Sequence, residues 1–199
     1  MTTATVSSVL RHGVLADRVP GPVPVRDSLL VIGGAALTGL AAQVSVPTPL
    51  SPVSLTLQAL AVLLTGAALG AARGAAAMLL CLAAGTAGVP WFAGQGHGWG
   101  GPGVGCIVSF VLAAAFVGEL ARRGNDRGVL GTIGLMALGD AVIHVVGATW
   151  PALDLHVGAD EAVAMGVTPF PVTDAFGIAL AAGVLPLTRR RTGESDPDV

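Results

Sequence analysis

Apolar residues fall into six blocks along this chain, at about 28–46, 55–71, 73–89, 104–121, 129–150 and 171–188. Each block approaches the roughly 17–25 residues that a helix needs to cross a bilayer. The charged positions sort against these blocks with a regular alternation. Arg11, Arg18 and Arg26 precede the first block, and Arg73 lies between the second and third. Arg122, Arg123 and Arg127 separate the fourth from the fifth, and Arg189–Arg191 follow the sixth. The intervals 47–54, 90–103 and 151–170 contain no Arg. Six crossings therefore put every arginine on one side, which the positive-inside rule makes the cytoplasm, and an odd number would break the pattern. The expectation is an all-α membrane protein with six transmembrane helices and both termini cytoplasmic. Residues 1–27 form a cytoplasmic lead-in, 28–188 the transmembrane domain, and 189–199 a polar, disordered tail.

Composition narrows the class. Mean hydropathy is +0.77, and 11% of the 199 residues are charged, against about 25% in a soluble domain. The chain belongs in a lipid bilayer as one multi-pass domain of the cell membrane. No basic patch suits nucleic acid. The first residues lack the apolar core and small-residue cleavage site of a signal peptide. Cys81 and Cys106 lie in or beside apolar blocks and read as small core residues. The chain has no Lys, which excludes a Walker A lysine and a Schiff-base lysine, so any ATP chemistry must come from a partner.

The stretch Gly88–Gly105, GVPWFAGQGHGWGGPGVG, has eight Gly and two Pro and carries no formal charge. No regular helix persists there, yet it holds Trp91, Phe92 and Trp99. It reads either as a loop folding over a small uncharged ligand or as a tight connection with Trp at the membrane interface. In the first block Gly34, Thr38 and Ala42 share a face, with Ala35 and Gly39 beside it. Small residues at this spacing admit close helix contact in lipid, with the chain's own helices or with another membrane subunit. Residues 47–58, PTPLSPVSLTLQ, cannot face lipid unpaired and suit a re-entrant outer cover. Gln58 then sits in the mouth of a span, bonding a neighbouring helix or a ligand. Asp140 and His144 in the fifth block are one turn apart on one face. Ionisable groups at that depth cost several kcal/mol and are functional candidates by default. They read as a self-satisfied pair, a ligand contact or a proton site. Asp174 opens the sixth block, where it complements the helix dipole or accepts from a ligand's N–H groups.

In order and spacing these segments resemble the BioY family, the biotin-binding S component of energy-coupling factor (ECF) transporters. The resemblance covers about residues 29–188. It rests on Ala42–Gln43, then PTPLSPVSLTLQALAVLLTGAALG and GVPWFAG, with support from GPGVG, GDAVIHVVGATW and TPFPVTDAFGIALAAG. It implies six helices and an outer vitamin site covered by the loops at 47–54 and 90–103. It also implies a cytoplasmic side that meets an ECF transmembrane coupling subunit and two ATPase subunits. The family's glycine loop falls on Trp91–Gly101, including Phe92, Gly94 and Gly101, its TLQ segment on Thr56–Gln58, and its sixth-helix Asp on Asp174. The family's first-helix coupling contact falls on Gly34, Ala35, Thr38, Gly39 and Ala42. Four positions depart from the pattern. Gly177 stands where a Lys usually follows the Asp, Asp140 replaces an Asn, His144 replaces a Tyr, and Cys106 replaces another Tyr. Without that Lys, the partners left for a biotin carboxylate are His144, His97 or the backbone donors opening the sixth helix.

Three functions follow. The first is a biotin-capturing subunit, not an enzyme and without cofactor or metal, in which carboxylates such as Asp174 meet the ring N–H groups and Trp91 flanks the ring. The alternative is a stand-alone proton-coupled transporter of biotin or another vitamin-like molecule, using Asp140 and His144. An intramembrane enzyme has little support, because neither HExxH nor GxSxG occurs.

Overall fold

Glycines decide how this bundle is joined. The computed structural model describes residues 13–46, 54–93, 96–97, 104–126, 128–154 and 157–191. Its helices are α1 (Val23–Gln43), α2 (Gln58–Leu69), α3 (Ala71–Thr86), α4 (Val104–Arg122), α5 (Val129–Asp154), α6 (Ala159–Gly166) and α7 (Pro171–Arg191). The six apolar blocks thus appear as α1–α5 and α7, with the short α6 added inside the acidic interval. Among the described residues, three helical stretches are long and apolar enough to cross a membrane alone: Val23–Gln43, Val129–Gly147 and Pro171–Thr188. Gln58–Leu69 and Ala71–Thr86 are apolar but shorter.

Block edges differ from the hydropathy reading at both ends of α1 and at the start of α2, each for a local reason. Helix α1 starts inside the expected lead-in because prolines occupy its first turn, where the missing N–H costs nothing. The ends of the first two blocks leave the helices and pair as an antiparallel ribbon, β1 (Ser45–Val46) with β2 (Leu55–Thr56), Ser45 opposite Thr56 and Val46 opposite Leu55. The bends that bring these ends together lie in 47–53, outside the described residues.

One residue, Gly70, separates α2 from α3, at φ +84°, a conformation that costs a side-chain-bearing residue energy. The two helices fold back on each other there, and α4 lies against both and against α5. At the crossing the backbones nearly touch. A β-carbon on Gly118 of α4 would overlap the backbone of Gly70 and Ala71. One on Gly66 would come 2.7 Å from the Ala114 carbonyl oxygen. Around this contact Val62, Met78, Val117 and Met136 are fully buried. Leu29, Ile32, Leu40, Leu130, Val145 and Phe176 point outward, as lipid-facing side chains do.

The lead-in is not free of the bundle. Leu15–Arg18 forms a 3-10 turn, with Val14 and Ala16 buried in the main core. Arg73, in the first turn of α3, bridges Asp17 at 2.8 Å and Asp27 at 3.1 Å, while Arg26 meets Asp27 at 2.9 Å. Arg122 approaches Gly70 from α4. Arginines that the sequence assigns to one side therefore gather at one end of the bundle. Arg189–Arg191 extend α7 instead of opening the tail, and 192–199 lie outside the described residues.

Gly118→Ala should destabilise the bundle by about 3 kcal/mol or more, since overpacking typically costs about 1–3 kcal/mol and rigid backbone is what obstructs the methyl here; thermal unfolding in detergent measures it. Partial burial raises the Asp17 pKa, but hydrogen bonds from Arg73 and the Val14 N–H outweigh it and hold the carboxyl below its ordinary value. A depressed carboxylate stabilises the fold above its unfolded pKa, and that stability is lost as pH falls through the folded pKa. Unfolding followed from pH 6 to pH 3 should therefore show a steeper loss below about pH 4 in the native protein than in Asp17→Asn.

Candidate functional site

The site is built where α5 and α7 run side by side, below the β-ribbon. Asp140 and His144 lie one turn apart on α5, and Asp174 sits in the first turn of α7. The His144 Nε2 is 2.8 Å from Asp174 Oδ2 and 3.4 Å from Asp140 Oδ2. All three side chains are only 12–15% exposed. An Nε2–H is donated to one oxygen at a time, and the shorter contact assigns it to Asp174. The Phe170 ring lies tilted against the imidazole, centroids 5.3 Å apart. Phe170 also takes the Asp174 N–H and the Thr173 hydroxyl on its carbonyl, both at 3.0 Å, which fixes the start of α7 relative to His144.

Asp140 and Asp174 face a small cleft. Thr56 from the ribbon, Leu57 just before α2, Ala59, Leu60 and Leu63 from α2, Met136 from α5, and Thr173, Gly177 and Ile178 from α7 complete its lining. Polar acceptors thus stand at one edge of a mainly apolar wall, the usual composition of a small-molecule site. Gly177 leaves room there, since a β-carbon would sit 3.5 Å from Leu60, an ordinary contact. Gln58 is 4% exposed at the start of α2. Its N–H bonds the Thr56 hydroxyl at 3.2 Å, but its side-chain Nε2 has no partner among the described residues. A buried donor left without an acceptor costs about 1–3 kcal/mol. Asp140, His144 and Asp174 also form a group whose ligand atoms lie within 4.8 Å of one another, the reach of a metal site. In this arrangement, however, the imidazole nitrogen is engaged by the carboxylates.

The match to known proteins agrees with this geometry. The family model described as the BioY family matches residues 11–194. The chain belongs to the BioY family. It is 36% identical over 173 residues to the probable biotin transporter BioY of Pyrococcus horikoshii, covering 85% of this chain and 98% of that one. Its fold is similar to the crystal structure of the S component for biotin from an ECF-type ABC transporter. The TM-score is 0.75 at 17% identity, over 86% of this chain and 95% of that one.

Within this BioY fold the residues singled out by sequence divide into three groups. Thr56, Asp140 and Asp174 line the cleft, with His144 bonded behind them and Gln58 buried next to Leu57. Trp91 and Phe92 are not among the cleft-lining residues. Trp91 lies on Gly39 of α1, where a β-carbon would come 2.8 Å from its ring, and the buried Phe92 occupies the space above Gly85 of α3. Both rings thus lie against helix glycines. Gly94, Trp99 and Gly101 lie outside the described residues, as does the cover at 47–53.

The first-helix face is also placed differently from the coupling contact that the resemblance implied. Gly34, Ala35, Thr38, Gly39 and Ala42 are all buried against the chain's own helices. Gly34 packs on Thr65, Leu69 and Ala77, and the Thr38 hydroxyl donates to the Gly34 carbonyl at 2.9 Å and approaches the Met78 sulfur at 3.8 Å. Their small size seats α1 on α2 and α3, so in this arrangement they are closed to a partner. Sequence reasoning missed Leu57, Ala59, Leu60, Leu63, Met136, Thr173 and Ile178. Apolar residues in an apolar span carry no local sign that they face a ligand, and Thr173 bonds a backbone carbonyl as any first-turn threonine would. Gly177 was marked as a departure from the family pattern, and the structure puts it in the wall.

A double-mutant cycle of His144→Ala with Asp174→Asn should give a coupling energy of about 1–3 kcal/mol, the range for contacting polar partners. Thermal unfolding of the single and double variants measures it, and additive effects would remove the contact.

Proposed function

We propose that this protein is the biotin-capturing S component of an ECF-type importer, holding biotin at the Asp140–Asp174 cleft for ATP-driven uptake by partner subunits. The observation that carries the reading is the pairing of two partly buried carboxylates with an apolar wall at one small cleft. Biotin has the complementary form, with ureido N–H donors on one edge and a thioether ring that prefers apolar contact. Asp174 and Asp140 accept the N–H groups, His144 keeps the Asp174 carboxylate oriented, and Leu60, Leu63, Met136 and Ile178 contact the ring. The Thr56 hydroxyl supplies a further donor. The family membership, and a biotin transporter as relative, support the same ligand.

In this reading the six principal helices cross the bilayer, the Arg73–Asp17–Asp27 end faces the cytoplasm, and both termini lie there. That orientation follows the arginine distribution. The transmembrane coupling subunit and two ATPases meet the chain from that side. On the first helix, the surface left open to such a subunit is the outward stripe of Leu29, Ile32, Gly33, Leu37 and Leu40.

Purified protein in lipid nanodiscs should retain radiolabelled biotin at one per chain. Asp174→Asn should weaken it about ten- to a hundredfold, the value of one charge-assisted hydrogen bond. Absence of retained biotin would reject the reading, and uptake without coupling subunits that a protonophore abolishes would favour the proton-coupled transporter. Gly177→Lys should place a cation in the cleft wall and tighten biotin about tenfold while leaving its carboxamide unaffected. Equal effects on both ligands would put the carboxylate elsewhere.

A further inference from the structure

One imidazole stands between two carboxylates where α5 meets α7, and their charges do not cancel. With both acids ionised the group carries two negative charges, and a proton on each ring nitrogen of His144 offsets one. No basic side chain makes up the difference. The chain has no Lys, and no Arg is among the described residues that line the cleft. Arg26, Arg73 and Arg123 are paired with Asp17, Asp27 and Glu119 instead. A buried charge that is left uncompensated costs several kcal/mol.

The three groups are also placed as ligands of one ion. Asp140 and His144 are four residues apart on one helix face, the spacing at which two helix side chains chelate a metal, and Asp174 closes on them from α7. One ligand atom from each lies within 4.8 Å of the others. In a tetrahedral zinc site, nitrogen and oxygen ligands about 2.0–2.1 Å from the ion stand about 3.3 Å from one another. His144 Nε2 is already 3.4 Å from Asp140 Oδ2. Its 2.8 Å distance to Asp174 Oδ2 reaches that value with a shift of about 0.5 Å. The Phe170 ring against the imidazole and the Phe170 carbonyl that receives the Asp174 N–H steady two of the ligands from behind, as outer groups of metal sites do.

The donor set selects the ion. An imidazole nitrogen suits zinc and its transition-metal neighbours, whereas magnesium and calcium take oxygen and leave His144 unused. We propose that Asp140, His144 and Asp174 bind one divalent transition-metal ion of the zinc class at the edge of the cleft. The ion takes the place of the Nε2 proton and cancels both carboxylate charges. Each carboxylate has a second oxygen, so a cation held here does not exhaust the acceptors that the cleft offers a ligand.

The test uses full-length protein purified without a histidine tag, stripped of metal by a chelator and placed in nanodiscs. Zinc is titrated by calorimetry and cobalt(II) by its visible absorption. Native protein should bind one ion per chain, with cobalt bands of a nitrogen- and oxygen-coordinated site. His144→Ala and Asp174→Asn should each weaken zinc by more than about a hundredfold, beyond the loss that follows when only a group behind a ligand is removed. Replacing His12, His97 and His156 together by Ala should leave zinc binding unchanged, and millimolar magnesium should not displace the ion. If His144→Ala does not fold, Asp140→Asn takes its place with the same expected loss. No zinc uptake by native protein, uptake unchanged in both His144→Ala and Asp174→Asn, uptake lost without the other three histidines, or displacement by magnesium overturns the proposal. The titration contains no biotin, so the two readings fail separately: protein that binds zinc and retains no biotin loses only the vitamin assignment, and protein that retains biotin and binds no zinc loses only the metal site.

Discussion

Helices surrounded by lipid gain nothing from hiding apolar surface from water, because acyl chains are as apolar as leucine. What holds them is contact, and contact improves steeply as backbones approach. In this chain the approach is closest where Gly66, Gly70 and Gly118 bring α2, α3 and α4 together. The rest of the molecule is arranged from that crossing. It orients α4, α4 supports α5, and α5 carries Asp140 and His144. The one-residue joint at Gly70 also fixes where α2 points, and α2 presents Leu60 and Leu63 to the cleft. On the far side α1 is laid down by the same device, with Gly34 against Thr65 and Ala77.

Polar groups set into such a bundle must satisfy one another. Asp140, His144 and Asp174 do so across two helices, and the imidazole is what allows two carboxylates to share so small a space. Both acids also line the cleft.

Much of the plan was legible in the chain. The separation of Arg73 and Arg122 from the arginine-free intervals needs only charge and hydropathy. The turn-spaced Asp140 and His144 need only helical periodicity, and Asp174 was marked by its place at a helix start. What could not be read was relative placement. Nothing local says that His144 bonds Asp174, thirty residues away, more closely than Asp140 on its own helix. The aromatic rings of Trp91 and Phe92 suggested a ligand because large flat groups beside glycines suit one. The same groups equally suit the flat surface that Gly39 and Gly85 leave on neighbouring helices, and only three-dimensional placement decides between them. The ribbon was hidden for a related reason. Val46 and Leu55 are as apolar as the spans they adjoin, so hydropathy extends the helices through them.

The shortness of α2 has a consequence for depth. Twelve residues span about 18 Å at 1.5 Å per residue, well below the roughly 30 Å hydrocarbon thickness. In the proposed orientation, which keeps the Arg73 and Arg122 end at the inner headgroups, the opposite end, with Thr56 and the cleft, would lie about 10 Å beneath the outer boundary. A ligand bound there as proposed would be out of reach of mobile counter-ions, whose screening belongs to bulk water. Retention of the ligand should accordingly be nearly indifferent to ionic strength, even though the groups that hold it are charged.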